Sequence, residues 1–146
     1  MKIKIRTRIK ENHKQLMQRF DLQLFKYLLP PLVGTEILEF TGSETGDRVH
    51  IRFTAPLNID WISNITEHGS DDKHSFFVDE GEVLPPGLKK WKHRHFIERI
   101  SDQESVIVDD IYYEGTSYLM GLLLYPAMYV TFFMRKFQYS KYFRQK

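Results

Sequence analysis

Residues 88–114, LKKWKHRHFIERISDQESVIVDDIYYE, predict two β-strands joined by a short turn. Successive side chains of a strand point to opposite faces, so Trp91, His93 and His95 share one face of the first strand. The second strand is rich in β-branched and aromatic residues, as strands commonly are. This stretch therefore predicts a hairpin with one face that carries an indole and two imidazoles.

The length of the turn sets which residues of the hairpin face each other. If residues 101–103 close it, His95 lies opposite Asp109 and Trp91 lies opposite Tyr113. Directly opposed side chains are about 4.5–5.5 Å apart at Cβ, which allows an imidazole to donate to a carboxylate. We therefore expect a hydrogen bond between His95 and Asp109.

Other alternating runs extend outward from this hairpin. Short links rich in Gly, Pro, Asp and Ser separate them, and short links between consecutive strands favour antiparallel pairing. The remaining predicted strands cover residues 2–10, 35–41, 47–54, 57–68 and 72–83. With the hairpin, they predict a curved antiparallel sheet of about seven strands.

Helical spacing appears in two places. Residues 12–29 predict one kinked or two short helices, with Asn12 as the cap, Asp21 as an internal break and Pro30 after the end. Residues 116–134 carry no charge and are followed by basic residues. That second run is marginally long enough for a membrane anchor, but its scattered tyrosines and a central proline favour a long C-terminal helix packed on the sheet.

Composition limits the classes of function. The 146 residues fit a single domain, 1–146, of α+β class. The net charge of +2 gives no support for a nucleic-acid partner, and the lack of cysteine excludes disulfides and thiolate metal sites. No secretory signal is visible, so we expect a cytoplasmic protein without stable membrane insertion. An aromatic content of 14% favours a lined cavity or an interface, including a homodimer.

Three interpretations of the hairpin face stay open. His93, His95 and Asp109, with His74, are residue types that bind metals, but the motif is short and we assign no metal and no cofactor. His95 oriented by Asp109 is an acid-base pair suited to proton transfer on a bound carbonyl compound. Alternatively, the polar groups hold the polar end of an apolar ligand.

Several motifs occur in a characteristic order, namely Trp61-Ile62-Ser63-Asn64-Ile65-Thr66, Phe77 with Asp79, Trp91-x-His93-x-His95-Phe96 and Asp109-x-Ile111-x-Tyr113. In this order they resemble the ligand-binding branch of the SRPBCC superfamily, the helix-grip proteins that include START domains, polyketide cyclases and plant pollen-allergen lipid binders. The resemblance implies a hydrophobic cavity between the sheet and the C-terminal helix. This chain lacks the proline of the Pro-x-Gly motif that usually follows the last strand of the family.

Together these observations predict a helix-grip domain that binds a hydrophobic, lipid- or polyketide-like small molecule. The alternative is a cyclase or dehydratase that uses His95 and Asp109, so the sequence leaves open whether the protein is an enzyme. The predicted ligand-binding residues are Phe53, Trp61, Trp91, His93, His95, Asp109 and Tyr113.

Overall fold

The computed structural model describes residues 1–56 and 58–145, whose strands form one antiparallel sheet. The strands are β1 Lys2–Ile9, β2 Gly34–Phe40, β3 Arg48–Ala55, β4 Ile59–Ser70, β5 His74–Val83, β6 Leu88–Ser101 and β7 Glu104–Gly115. They lie in the order β1-β7-β6-β5-β4-β3-β2, so consecutive strands are neighbours except that β1 pairs with β7. The predicted seven-stranded sheet is confirmed. Leu57, the predicted start of the fourth strand, lies outside the described residues.

The hairpin of β6 and β7 has the predicted register. His95 is the Cα partner of Asp109, and Trp91 is the partner of Tyr113. Trp91 and His93 of β6 are buried, whereas the side chain of Lys90 on the same strand is exposed to solvent. The alternation read from the sequence therefore places the correct face of β6 towards the interior.

Two short helices follow β1, as the spacing predicts. They are α1 His13–Gln18 and α2 Leu22–Leu28. The Asn12 side chain accepts from the backbone N–H of Lys14 at 2.9 Å, and Asp21 accepts from Leu24 N–H at 3.0 Å. Each side chain satisfies an amide that has no partner within its helix. Asp21 is thus both the predicted break and the cap of α2.

The C-terminal helix, α3 Tyr118–Arg144, extends well past the uncharged run. The curled sheet half encloses it, and it packs mainly against β1 and β7. Phe132, Tyr139 and Phe143 are its largest buried side chains. Tyr139 and Phe143 join a cluster with α1 and α2, while Phe132 joins a second cluster around Trp91.

A glycine contact sets how α3 leaves the last strand. A Cβ atom on Gly115 would lie 2.3 Å from the backbone nitrogen of Gly121, a distance that no side chain allows. The Ser117 hydroxyl accepts from Met120 N–H at 3.1 Å and caps the helix. Close backbone packing and a serine cap therefore direct the helix here, without the proline of the Pro-x-Gly motif.

The outer face of α3 is apolar and exposed. Its exposed large hydrophobic residues are Tyr118, Leu119, Leu122, Leu123, Tyr129, Val130, Phe133, Met134 and Phe137. The four aromatic residues of this set are exposed, so a lined cavity, one of the two interpretations of the aromatic content, does not account for them. Within residues 1–56 and 58–145, none of the helices has a stretch long and apolar enough to cross a membrane.

Candidate functional site

A cavity of about 380 Å³ lies between the inner face of the sheet, α2 and α3. Its walls are mainly apolar, with aromatic rings from the sheet and both helices. The rings of Trp61 and Trp91 meet edge to face at a centroid distance of 4.8 Å. A cavity with apolar walls and a few polar groups is the usual form of a small-molecule site.

Five of the seven predicted ligand-binding residues line this cavity. They are Phe53, Trp61, Trp91, His93 and His95. Alternation along β3, β4 and β6 accounts for them, since each lies on the inward face of its strand. The other two predicted residues, Asp109 and Tyr113, lie behind the wall.

Tyr113 supports the helix and does not face the cavity. Its side chain is 0% exposed, and its hydroxyl donates to the carbonyl oxygen of Gly121 at 2.8 Å. The inward alternation of β7 predicted its burial but not its partner. Tyr113 therefore joins the last strand to the first turn of α3.

Asp109 is 1% exposed and interacts with a different histidine from the one predicted. Its Oδ1 accepts from His93 Nε2 at 2.9 Å, whereas His95 Nδ1 is 4.0 Å away. The predicted hydrogen bond between His95 and Asp109 is therefore wrong, although their backbone register is right. His93 is a diagonal neighbour of Asp109 across the ladder, and diagonal neighbours are within reach of long side chains.

Asp79 of β5 is the partner of His95, and sequence reasoning did not assign it. Its Oδ2 accepts from His95 Nε2 at 2.8 Å, and its Oδ1 accepts from Trp91 Nε1 at 2.9 Å. Asp79 is also the Cα partner of His93 in the β5–β6 ladder. The alternation of Phe77 and Asp79 on one face was a signal in the sequence, but its use required the register of β5 against β6.

The α3 helix adds two polar groups that the sequence analysis also missed. The Arg135 guanidinium lies 4.5 Å from the Phe132 ring centroid, and its Nη1 is 3.9 Å from Asp109 Oδ1. The Tyr139 hydroxyl approaches the same oxygen at 3.5 Å. Helical spacing puts residues 132, 135 and 139 on one face, so the pattern was readable once that face was known to be buried.

Burial and hydrogen bonding set the charges of this group. Desolvation, together with the neighbouring His93, lowers the pKa of His95 from 6.5 to about 4 against the opposing effect of Asp79. His95 is therefore neutral at pH 7. Desolvation opposes ionisation of both aspartates, but hydrogen bonds outweigh it. The hydrogen bond from His95 keeps the pKa of Asp79 below its usual value. The hydrogen bond from His93 and the charge of Arg135 keep the pKa of Asp109 below its usual value.

Of the residues that the sequence offered as metal ligands, only His93 and His95 have donor atoms in one group, and Asp79 is the third member of that group. His74 pairs with Asp71 at 3.2 Å and contacts Phe76, away from the cavity. Asp109 lies behind His93. One donor atom each from Asp79, His93 and His95 lies within 4.8 Å of the other two.

Comparisons with known proteins bear on the fold. No family model matches the chain, and no curated protein matches its sequence. Norcoclaurine synthase from Thalictrum flavum, solved with dopamine and hydroxybenzaldehyde, superposes with a TM-score of 0.70 and 13% identity, over 100% of this chain and 88% of that one.

Two other solved structures show the same architecture. The Zhui aromatase/cyclase from a Streptomyces species gives a TM-score of 0.58 at 11% identity, over 80% of this chain and 69% of that one. Ara h 8.0201 gives 0.56 at 10% identity, over 96% and 98% of the two chains. These neighbours are helix-grip proteins. The predicted resemblance is therefore confirmed for the fold, and the chain has the helix-grip fold.

Proposed function

We propose that the protein binds a hydrophobic, ring-containing small molecule in the cavity between the sheet and α3. The observation that carries this proposal is the cavity itself, about 380 Å³ with largely apolar walls. Trp61, Trp91 and Phe53 hold the flat body of the ligand. At the polar end, His95 and Asp79 accept hydrogen bonds from its hydroxyl groups, because the Asp79 carboxylate is ionised and the N–H of His95 is donated to Asp79.

The fold neighbours support this proposal by analogy. One was solved with dopamine and hydroxybenzaldehyde, and another is described as an aromatase/cyclase. Both names involve flat aromatic compounds, which suit a cavity where two indole rings meet edge to face. The identity of the ligand does not follow from a shared fold.

A cavity-filling variant tests the proposal. Ile51 lines the cavity from β3, so Ile51→Trp should occupy the space of the ligand. We expect the affinity for the fluorescent probe anilinonaphthalene sulfonate to fall at least about tenfold, which corresponds to ~1.4 kcal/mol. Fluorescence titration measures this, and quenching of Trp61 and Trp91 gives an independent signal.

The matched control is Thr54→Trp, on the exposed face of the same strand. It introduces the same ring without entering the cavity, so probe affinity should remain unchanged. Equal affinity in the wild type and Ile51→Trp, with both proteins folded by circular dichroism, would contradict the proposal.

A second candidate is an enzyme that moves a proton on a bound carbonyl compound. The observation in its favour is His95, whose Nε2 is held by Asp79 while its buried Nδ1 has no hydrogen-bond partner among the described residues. A neutral imidazole with a fixed orientation and a free lone pair is a suitable base. Asp79 here takes the orienting role that the sequence analysis gave to Asp109.

Deuterium exchange tests this candidate. With phenylacetone in deuterated buffer, the enzyme should accelerate loss of the protons next to the carbonyl, followed by NMR. Removing a general base typically costs about 10² to 10⁴ in rate, so His95→Gln should reduce the exchange accordingly. Exchange at the same rate in the wild type and His95→Gln excludes proton transfer by this ring.

A further inference from the structure

We propose that Asp79, His93 and His95 form a binding site for one divalent first-row transition metal ion, with a coordination position open to the cavity. Two imidazoles and a carboxylate are a common ligand set for such ions. The inference goes beyond the binding of an apolar ligand and does not depend on it. It rests on how the three side chains and Asp109 are arranged.

The donor atoms are already close together. His95 Nε2 is 2.8 Å and His93 Nδ1 is 3.5 Å from the same oxygen of Asp79, Oδ2. Bonds of about 2.0–2.2 Å in a tetrahedral site put ligand atoms roughly 3.3 Å apart. The His93 to Asp79 distance nearly meets this value, and the His95 to Asp79 pair must open by about half an ångström.

His93 is oriented as a ligand would be. Its Nε2 lies 2.9 Å from Asp109 Oδ1, and since a carboxylate only accepts, that nitrogen carries the proton. The lone pair of a neutral ring is then on Nδ1, which faces Asp79. Metal-bound histidines usually donate their other N–H to a carboxylate in this way, which fixes the tautomer.

His95 can adopt the same arrangement by moving one proton. Its Nε2 donates to Asp79 in this structure, and its Nδ1 is buried, 4.0 Å from Asp109 Oδ1, with no hydrogen-bond partner within residues 1–56 and 58–145. A shift of the proton from Nε2 to Nδ1 frees the Nε2 lone pair for a metal and turns the new N–H towards Asp109. Asp109 then lies behind both rings as a shared positioning residue.

The charge of the group also suits a cation. Asp109 has one guanidinium beside it, that of Arg135 at 3.9 Å, whereas the ion-pair partners of Asp79 in the described part of the chain are His93 and His95. Asp109 Oδ2 is buried and has no hydrogen-bond partner among the described residues. A divalent ion would offset the remaining negative charge in a region largely screened from water.

Other histidines of the chain provide controls for adventitious binding. His74 lies 3.2 Å from Asp71, and its side chain is 36% exposed. This pair offers one imidazole and one carboxylate in a partly exposed setting. Weak surface uptake of metal would involve such a pair.

The experiment is a titration of Zn²⁺ into the full chain after treatment with EDTA, by isothermal calorimetry. We expect one equivalent to bind in the wild type and in His74→Gln with equal affinity. His95→Gln and Asp79→Asn should each weaken binding at least about tenfold, and Asp109→Asn should weaken it about 10- to 100-fold through the orientation of His93. Circular dichroism checks that each variant is folded.

Co²⁺ spectroscopy keeps the proposal testable if a variant fails to fold. In the wild type, Co²⁺ in a site of two imidazoles and a carboxylate should give intense visible bands that Zn²⁺ abolishes. Weak octahedral bands alone overturn the proposal. So does Zn²⁺ uptake that is lost in His74→Gln but unchanged in His95→Gln and Asp79→Asn.

Discussion

His93 and His95 are two residues apart on the same face of β6, yet they bind carboxylates of different neighbouring strands, Asp109 of β7 and Asp79 of β5. Their rings are 3.6 Å apart at the centroids, and Nε2 of one donates to Asp109 while Nε2 of the other donates to Asp79. The two tilted imidazoles are thus held between β5 and β7. Nε2 of each ring is hydrogen-bonded to a carboxylate, so Nδ1 is the second nitrogen that each ring can still offer to a ligand.

The buried, neutral state of His95 predicts a loss of stability in acid. Its pKa is 6.5 unfolded and about 4 folded, so the unfolded chain takes up a proton that the folded chain resists. The free energy of unfolding is therefore unaffected by protonation of His95 above pH 6.5. It decreases as the pH falls from 6.5 towards 4, by up to about 3 kcal/mol. The titratable groups that face the ring are Asp79, His93 and Asp109, and Asp109 in turn is approached by Arg135 and Tyr139.

Urea unfolding of the metal-free protein from about pH 7 to about pH 4 measures this effect. Over that range His95→Gln should lose much less stability than the wild type. Because the pKa values of Asp79 and Asp109 are lowered, their contributions persist until the pH falls below 3.8, their usual value. Parallel curves for the two proteins would show that His95 is not the group responsible.

At the scale of elements, α3 is hydrogen-bonded to the last strand near its start and to α2 near its other end. The Tyr113 hydroxyl donates to Gly121 O near the start, and Gln138 donates to Tyr27 O of α2 near the other end. Between these points α3 contributes Phe132 and Arg135 to the cavity. The position of the cavity wall therefore depends on contacts outside the cavity.

Tyr113→Phe should lower stability without changing binding. It removes a buried hydrogen bond, which typically contributes about 1 kcal/mol, and keeps the ring in its place. The free energy of unfolding in urea should fall by that amount, while affinity for anilinonaphthalene sulfonate stays the same. A large loss of affinity would instead show that Tyr113 takes part in ligand binding, as the sequence predicted.

The matched control is Tyr112→Phe. Tyr112 is the neighbouring residue on β7, and its hydroxyl donates to Glu114 on the other face of the sheet. This hydrogen bond is only partly buried, so water can replace it and the unfolding free energy should fall by less than in Tyr113→Phe. The difference between the two variants isolates the attachment of α3.

At the scale of the whole molecule, periodicity predicted which residues face inward but not which of them meet. Alternation placed Phe53, Trp61, Trp91, His93 and His95 on the wall, because the period of a strand is local in sequence. The pairing of His95 with Asp79 depends on the ladder between β5 and β6, and the approach of Arg135 depends on how α3 is seated. Such contacts join distant parts of the chain, and no local pattern encodes them.

The pairing of β1 with β7 has a consequence for synthesis. Ile3 pairs with Ile111, so β1 can find its partner only after the five strands between them in sequence and β7 itself have been synthesised. Until then β1 is an unpaired strand with an apolar face, the kind of segment that aggregates. Its other face carries Lys2, Lys4, Arg6 and Arg8, and charged side chains on an edge strand discourage unwanted pairing. We therefore expect the basic row of β1 to disfavour aggregation of the chain before β7 is made.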